Sequence, residues 1–116
     1  MRKDLGRIGE KIAYFYLLEK GYKILETNFQ RKWGEIDIVA KKNDILVFVE
    51  VKTLKKPRFH PEESITFKKK RKLFKNAQLY LIEKNYPPDQ LWQIDIIAVE
   101  ILKNGKVKIF HTENIF

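Results

Sequence analysis

Residues 45–52, Ile-Leu-Val-Phe-Val-Glu-Val-Lys, constrain the fold of this chain more than any other stretch. The first five side chains are apolar in both alternating sets, Ile45/Val47/Val49 and Leu46/Phe48. A strand buried on both faces belongs in the middle of a sheet that is covered on both sides. The strand then ends in Glu50 and Lys52, which share a face with Leu46 and Phe48. Residues two apart on a strand have Cα atoms roughly 6.5 Å from each other, so a carboxylate and an ammonium stand side by side. On a central strand such charges cost desolvation unless they are paired or bound to something.

The rest of the chain supplies the layers. Ile8, Ile12, Phe15 and Leu18 recur at helical spacing from about Asp4 to Lys20, with Ala13, Tyr16 and Leu17 widening the stripe. Asp4 suits an N-cap, and Gly21 suits the left-handed residue that ends a helix. A weaker strand, Tyr22–Phe29, leads through Gln30–Gly34 into a second, Glu35–Ala40, and Lys41–Asp44 turns into the third, Ile45–Lys52. Thr53 to Glu63, with Pro57 and Pro61, reads as an irregular loop. Ser64 can cap a long helix to about Lys84, burying Phe67, Leu73, Phe74, Ala77, Tyr80 and Leu81, and Pro87-Pro88 lies beyond its end. Leu91–Leu102 and Lys106–His111 form a last hairpin through Asn104-Gly105. The expected fold class is α/β: helix, three strands, helix, two strands, with one helix on each face of the sheet.

Length and composition narrow the classes. The 116 residues fit one domain, 1–116, and 44% hydrophobic residues provide a core. The chain has no cysteine, which excludes disulfide frameworks, thiolate zinc sites and cysteine nucleophiles. No apolar run approaches the roughly 20 residues a bilayer span needs, and residues 1–4 do not open a signal peptide, so the expectation is a cytoplasmic protein. Of the formal net charge of +9, residues 52–72 carry +7: nine cations against Glu62 and Glu63. Phe59, His60 and Phe67 interleave them, which is the footprint of a polyphosphate partner. Lys55, Lys56, Arg58, Lys68, Lys69 and Lys72 are the candidate nucleic-acid contacts. A solvated lysine-rich helix face is the plain alternative.

The second strand carries Asp37 within an apolar run. With Ala40 paired to Ile45, Asp37 falls near Phe48, and a diagonal reach brings it to Glu50. Two carboxylates from adjacent strands make a hard-oxygen site for Mg²⁺ or Mn²⁺. A lone Glu-x-Lys is commonly an ordinary ion pair. The central strand and the second carboxylate favour a metal site.

Gly34-Glu35-Ile36-Asp37 followed by Phe48-Val49-Glu50-Val51-Lys52 resembles the bipartite core of the PD-(D/E)xK nuclease superfamily, with Ile36 where the motif has proline. Gly6, Gly9-Glu10, Ala13, Gly21-Tyr22, Asn28, Ile94-Asp95 and Asn114-Ile115-Phe116 extend the likeness over essentially the whole chain. The chain thus resembles the YraN-like family of small bacterial proteins, grouped as uncharacterised or as endonucleases. Where that family usually has arginine and phenylalanine before the aspartate, this chain has Gln93-Ile94. The resemblance implies a restriction-endonuclease-like, three-layer α/β/α fold with a five-stranded mixed sheet, distantly similar to Holliday-junction resolvases. It implies a metal-dependent DNA endonuclease in which Asp37 and Glu50 bind the cation with the Val51 carbonyl. Lys52 would orient or activate water, and Glu10 would be an auxiliary ligand or position Lys52. Branched DNA is one implied substrate, and resolving a junction would require a homodimer with two sites. A non-catalytic DNA-binding module and a protein-interaction subunit are the competing functions.

The remaining candidates have plainer readings. Asp95, on the side of Ile97 and Val99, is expected to be a structural carboxylate. Glu35 is expected to partner Arg7 or Arg31. His60 and His111 are expected at the surface, and Gly6 and Gly9 are expected to allow close packing.

Overall fold

Helix α1 spans Arg2–Glu19, so Asp4 lies inside its first turn, where a carboxylate complements the helix dipole, and does not cap it. The computed structural model describes residues 2–54 and 66–116. The end of α1 follows expectation. Gly21 has φ +91°, the Tyr22 amide donates to the Leu17 carbonyl (2.9 Å), and the Gly21 amide to that of Leu18 (3.0 Å). This paired closure needs a left-handed residue, and glycine supplies it without a Cβ penalty. The buried stripe of α1 is Gly9, Ala13 and Leu17, whereas Ile8, Phe15 and Leu18, expected to face the core, are exposed. The reason is close approach. A Cβ on Gly9 would overlap the Thr53 side chain, so the helix turns its smallest residues to the sheet.

Strands β1 (Lys23–Arg31), β2 (Gly34–Lys42) and β3 (Ile45–Leu54) form an antiparallel meander. Beyond helix α2 (Phe67–Glu83), β4 (Trp92–Ile101) pairs parallel to β3, and β5 (Val107–Thr112) pairs antiparallel to β4. The sheet order is β1-β2-β3-β4-β5, which puts β3 at the centre.

The β2–β3 register differs from expectation. The turn is the two residues Asn43-Asp44, not four, with Asn43 at φ +56°, and Lys42 pairs with Ile45. Asparagine tolerates this left-handed conformation better than most residues. Ala40 therefore pairs with Val47, and Ile38 with Val49. A shift of two keeps every side chain on its expected face, because the strand period is two. It also moves Asp37 from the level of Phe48 to that of Glu50.

Each sheet face has its own core. Ala13 and Leu17 of α1 pack with Ile38, Ala40, Val47, Val49, Ile97 and Val99. On the other side Leu73, Ala77 and Tyr80 of α2 pack with Phe29, Val39, Leu46, Phe48 and Ile94. The described α2 is capped by Thr66, whose hydroxyl accepts the Lys69 amide (3.1 Å), and the expected Ser64 cap lies outside the described residues. Phe67, expected in the core, is 74% exposed, with the Arg71 guanidinium 5.9 Å from its ring centre. Asn85, at φ +58°, closes the helix by donating to the Ile82 carbonyl, while Tyr86 donates to that of Leu81.

Candidate active site

The β2–β3 ladder runs from Lys42–Ile45 to Ile38–Val49. Asp37 comes next, and its Oδ2 accepts the Val51 backbone amide at 2.7 Å. A side chain thus replaces the backbone carbonyl that a continuing ladder would offer, and the carboxylate is pinned between the two strands. Glu50 stands level with it on β3. Its Oε2 lies 2.6 Å from the Lys69 ammonium of α2, so a residue from the opposite layer reaches down to the sheet end. Asp37 is 8% exposed and Glu50 5%.

Two carboxylates this close and this buried cannot both keep their charge cheaply. Burial, followed by the negative charge of Glu50, pushes the Asp37 carboxyl up to about 8. The Val51 amide pulls the other way, and Glu10 and Glu35 add to the rise. Lys52 is half-buried and lies beside them. Burial and the neighbouring Lys69 charge lower its proton affinity against the opposing pull of Glu50. Burial also acts to lower Lys69, but the hydrogen bond and charge of Glu50 outweigh it and leave Lys69 above its ordinary range.

Among the other expected site residues, Glu10 is not drawn onto Asp37 and Glu50. Its Oε1 accepts from Asn28 Nδ2 (3.1 Å), and the same amide donates to Glu35 (2.9 Å). Asn28 holds φ +54° within β1, and this one residue links helix and hairpin near the site. Glu35 therefore pairs with neither Arg7 nor Arg31, and Arg31 forks onto Glu83 at 2.9 Å instead. Val51 contributes its amide to Asp37. Lys69, expected to grip nucleic-acid backbone, sits on Glu50, while Lys68 and Lys72 line a groove beside it. Lys55, Lys56, Arg58 and His60 lie outside the described residues.

The donor chemistry fits a small hard cation. Two carboxyl groups on adjacent strands meet with little access to solvent, and burial with the charge of Glu50 raises Asp37. Mg²⁺ is commonly held by one or two carboxylates, with waters and substrate phosphates completing its shell. Among the described residues no group of three His, Cys, Asp or Glu side chains converges.

The sequence reading missed two arrangements. Asn76, 1% exposed on α2, accepts the Trp33 amide (3.3 Å) and donates to the Gly34 carbonyl (2.5 Å), clamping the β1–β2 turn to the helix. The only local signal was a polar residue one position before Ala77 on an apolar helix face. His111 is not a surface residue. Its Nε2 lies 2.7 Å from Asp95 Oδ2 and its Nδ1 3.0 Å from the Tyr16 hydroxyl. Asp95, 0% exposed, also accepts from Gln93 Nε2 and the Asn114 amide, each at 2.9 Å, and is the structural carboxylate expected. Gln93 thus serves to satisfy the buried Asp95.

Strand order and layering are those of a small nuclease-like α/β fold, with the carboxylates and lysines gathered where its central antiparallel strands part. A model of the uncharacterised protein family UPF0102 matches residues 9–99. The chain belongs to that family, the YraN-like proteins. It is 42% identical over 119 residues to a UPF0102 protein of Alkaliphilus oremlandii, and 47% identical over 120 residues to one of Syntrophomonas wolfei, with all of both chains covered. A Fervidobacterium nodosum UPF0102 protein is 49% identical over 113 residues, covering 94% of this chain and 79% of the relative. No helix among the described residues is long and apolar enough to cross a membrane.

Proposed function

We propose that this protein is a divalent-metal-dependent endonuclease that hydrolyses DNA phosphodiester bonds at the Asp37–Glu50–Lys52 end of the sheet. The observation that carries the reading is the meeting of Asp37 and Glu50, both buried, where β2 and β3 part. Asp37 and Glu50 would hold Mg²⁺ or Mn²⁺ with the Val51 carbonyl. When bound, the cation would polarise the phosphate and neutralise the leaving oxygen. Asp37, raised by burial and by Glu50, would bind the ion as the carboxylate. Lys52, whose proton is held less tightly than a free lysine's, would accept the attacking water's proton when it is the neutral amine, or, as the ammonium, orient that water and steady charge on the phosphate.

Substrate charge would be met by α2. Lys68 to Lys72 are five consecutive cations in the first two turns of a helix whose dipole is already positive there. Such a run disfavours the helix by itself and suits a polyanion laid across it.

Labelled linear, flapped and four-way-junction DNAs, incubated in Mg²⁺ and Mn²⁺ with wild type beside Asp37→Ala, test this. Metal-dependent products are expected from wild type alone. Products made equally by both would remove Asp37 from the chemistry.

The 2.6 Å Lys69–Glu50 pair favours a second reading, a DNA-binding module that does not cut, because Glu50 already has a counter-charge. Steeply salt-dependent binding without metal-dependent product would establish that reading.

A further inference from the structure

Trp33 occupies the tip of the β1–β2 hairpin, in the two-residue turn between Arg31 and Gly34, where a small polar residue would ordinarily serve. Among the described residues it is part of neither core cluster. Its position is nevertheless built. The buried Asn76 holds the Trp33 amide and the Gly34 carbonyl, fixing the turn against α2.

The indole stands between two adjoining cavities. One, of about 340 Å³, is shared with Lys68, Lys69, Lys72 and Asn76. The other, of about 200 Å³, is shared with Lys68, Arg71, Lys72 and Lys75. The Lys75 ammonium lies over the indole, 4.1 Å from the ring centre, and that of Lys32 at 5.1 Å, so a base stacking here takes the place of a lysine, which is then free to meet the phosphate. The helix spacing explains the grouping, since residues 68, 72 and 75 recur on one face of α2.

An aromatic plane with ammonium groups around it recognises a nucleotide by both its parts: the base stacks, and the phosphate finds a cation. The larger cavity also includes Lys69, whose ammonium rests on Glu50. Trp33 and the lysine that covers Glu50 thus line one cavity. A base in an intact duplex is already stacked on both faces and must leave its partner to stack elsewhere.

We infer that Trp33 is a stacking platform for an unpaired nucleobase, so that the nucleic acid engaged here presents a single-stranded segment beside the phosphate brought to Glu50. This rests on the proposed function for its substrate class and narrows it to single-stranded, flapped or otherwise opened DNA.

The test uses the full chain in EDTA, so that binding is read apart from cleavage. Trp33 and Trp92 are the two tryptophans, and a Trp92→Phe background leaves Trp33 as the reporter. Ten-nucleotide oligothymidylate is expected to change its emission, and a blunt duplex of equal length to change it little. In the wild-type background, Trp33→Leu keeps apolar bulk but loses the aromatic plane. It is expected to weaken oligothymidylate binding about fivefold to a hundredfold while duplex affinity stays within about twofold. Trp33→Phe is expected to recover most of the loss. Unchanged oligothymidylate affinity in Trp33→Leu, or an equal loss on both DNAs, would overturn the platform. Cutting of fully paired duplex by an unimpaired Trp33→Leu enzyme would overturn it while leaving the proposed chemistry standing. Intact Trp33-dependent binding without any cleavage would do the reverse.

Discussion

At the scale of single residues, Asp37 is where the proposed metal site and stability oppose one another. Burial and Glu50 raise its carboxyl to about 8. A group whose folded-state proton affinity is raised contributes stability that is full below the ordinary carboxylate range and is lost as pH climbs through the folded value. Metal-free protein is therefore expected to lose thermal stability between about pH 4 and pH 8. Asp37→Asn keeps an oxygen for the Val51 amide and removes the charge. The variant should melt several degrees higher than wild type at pH 8 in EDTA, with a flatter pH profile. Thermal melts of both proteins across that range check the claim, and parallel profiles would assign the slope to other groups. The candidate carboxylates were legible in the sequence because each interrupts an apolar strand and the short turn between those strands makes them antiparallel neighbours. The partnership of Glu50 with Lys69 was not, since nothing local aims a helix lysine at a strand 19 residues away.

At the scale of elements, α2 carries the same tension. Thr66 satisfies one of the free amides at its start, and no acidic residue lies in its first turn. Lys68 stands there as an exposed cation against a positive helix end. Lys68→Glu is expected to stabilise the fold by about 0.3–1 kcal/mol at low ionic strength. It should also weaken DNA binding and lower the salt dependence of what remains. Denaturant melts and binding isotherms at two salt concentrations measure both halves. A variant that binds DNA as wild type does would place the phosphate contacts elsewhere. The existence and order of the seven elements among the described residues followed from periodicity and turn residues. The buried faces followed less well, because α1 chose its small residues Gly9 and Ala13 over the bulkier Ile8 and Phe15 in order to approach Thr53.

Across the whole molecule, the Asp95–His111–Tyr16 chain ties β4, β5 and α1 together on the side that α1 covers, away from Glu50 and α2. With the carboxylate accepting from Nε2–H, the other ring nitrogen is left to accept the Tyr16 hydroxyl, so the tautomer is set by its partners. His111→Ala leaves the buried Asp95 with only Gln93 and Asn114 as donors. It is expected to cost about 1–3 kcal/mol of stability. Metal affinity and DNA affinity should be unchanged below the melting temperature, and calorimetry with a binding titration separates the two effects. The sequence by itself determined the layers: β3 at the centre, one helix per face, and Asp37, Glu50 and Lys52 at one end. Those features depend on strand and helix periods and on turn-forming residues, which act between near neighbours in the chain. The tertiary structure alone decided that Asp37 stands level with Glu50, that Lys69 covers Glu50, and that Asn76 fixes Trp33 over the lysines. Each of those depends on a turn shortened by two residues or on the docking of α2 against the sheet. Such quantities are fixed by packing among distant residues, which leaves no periodic trace in the chain.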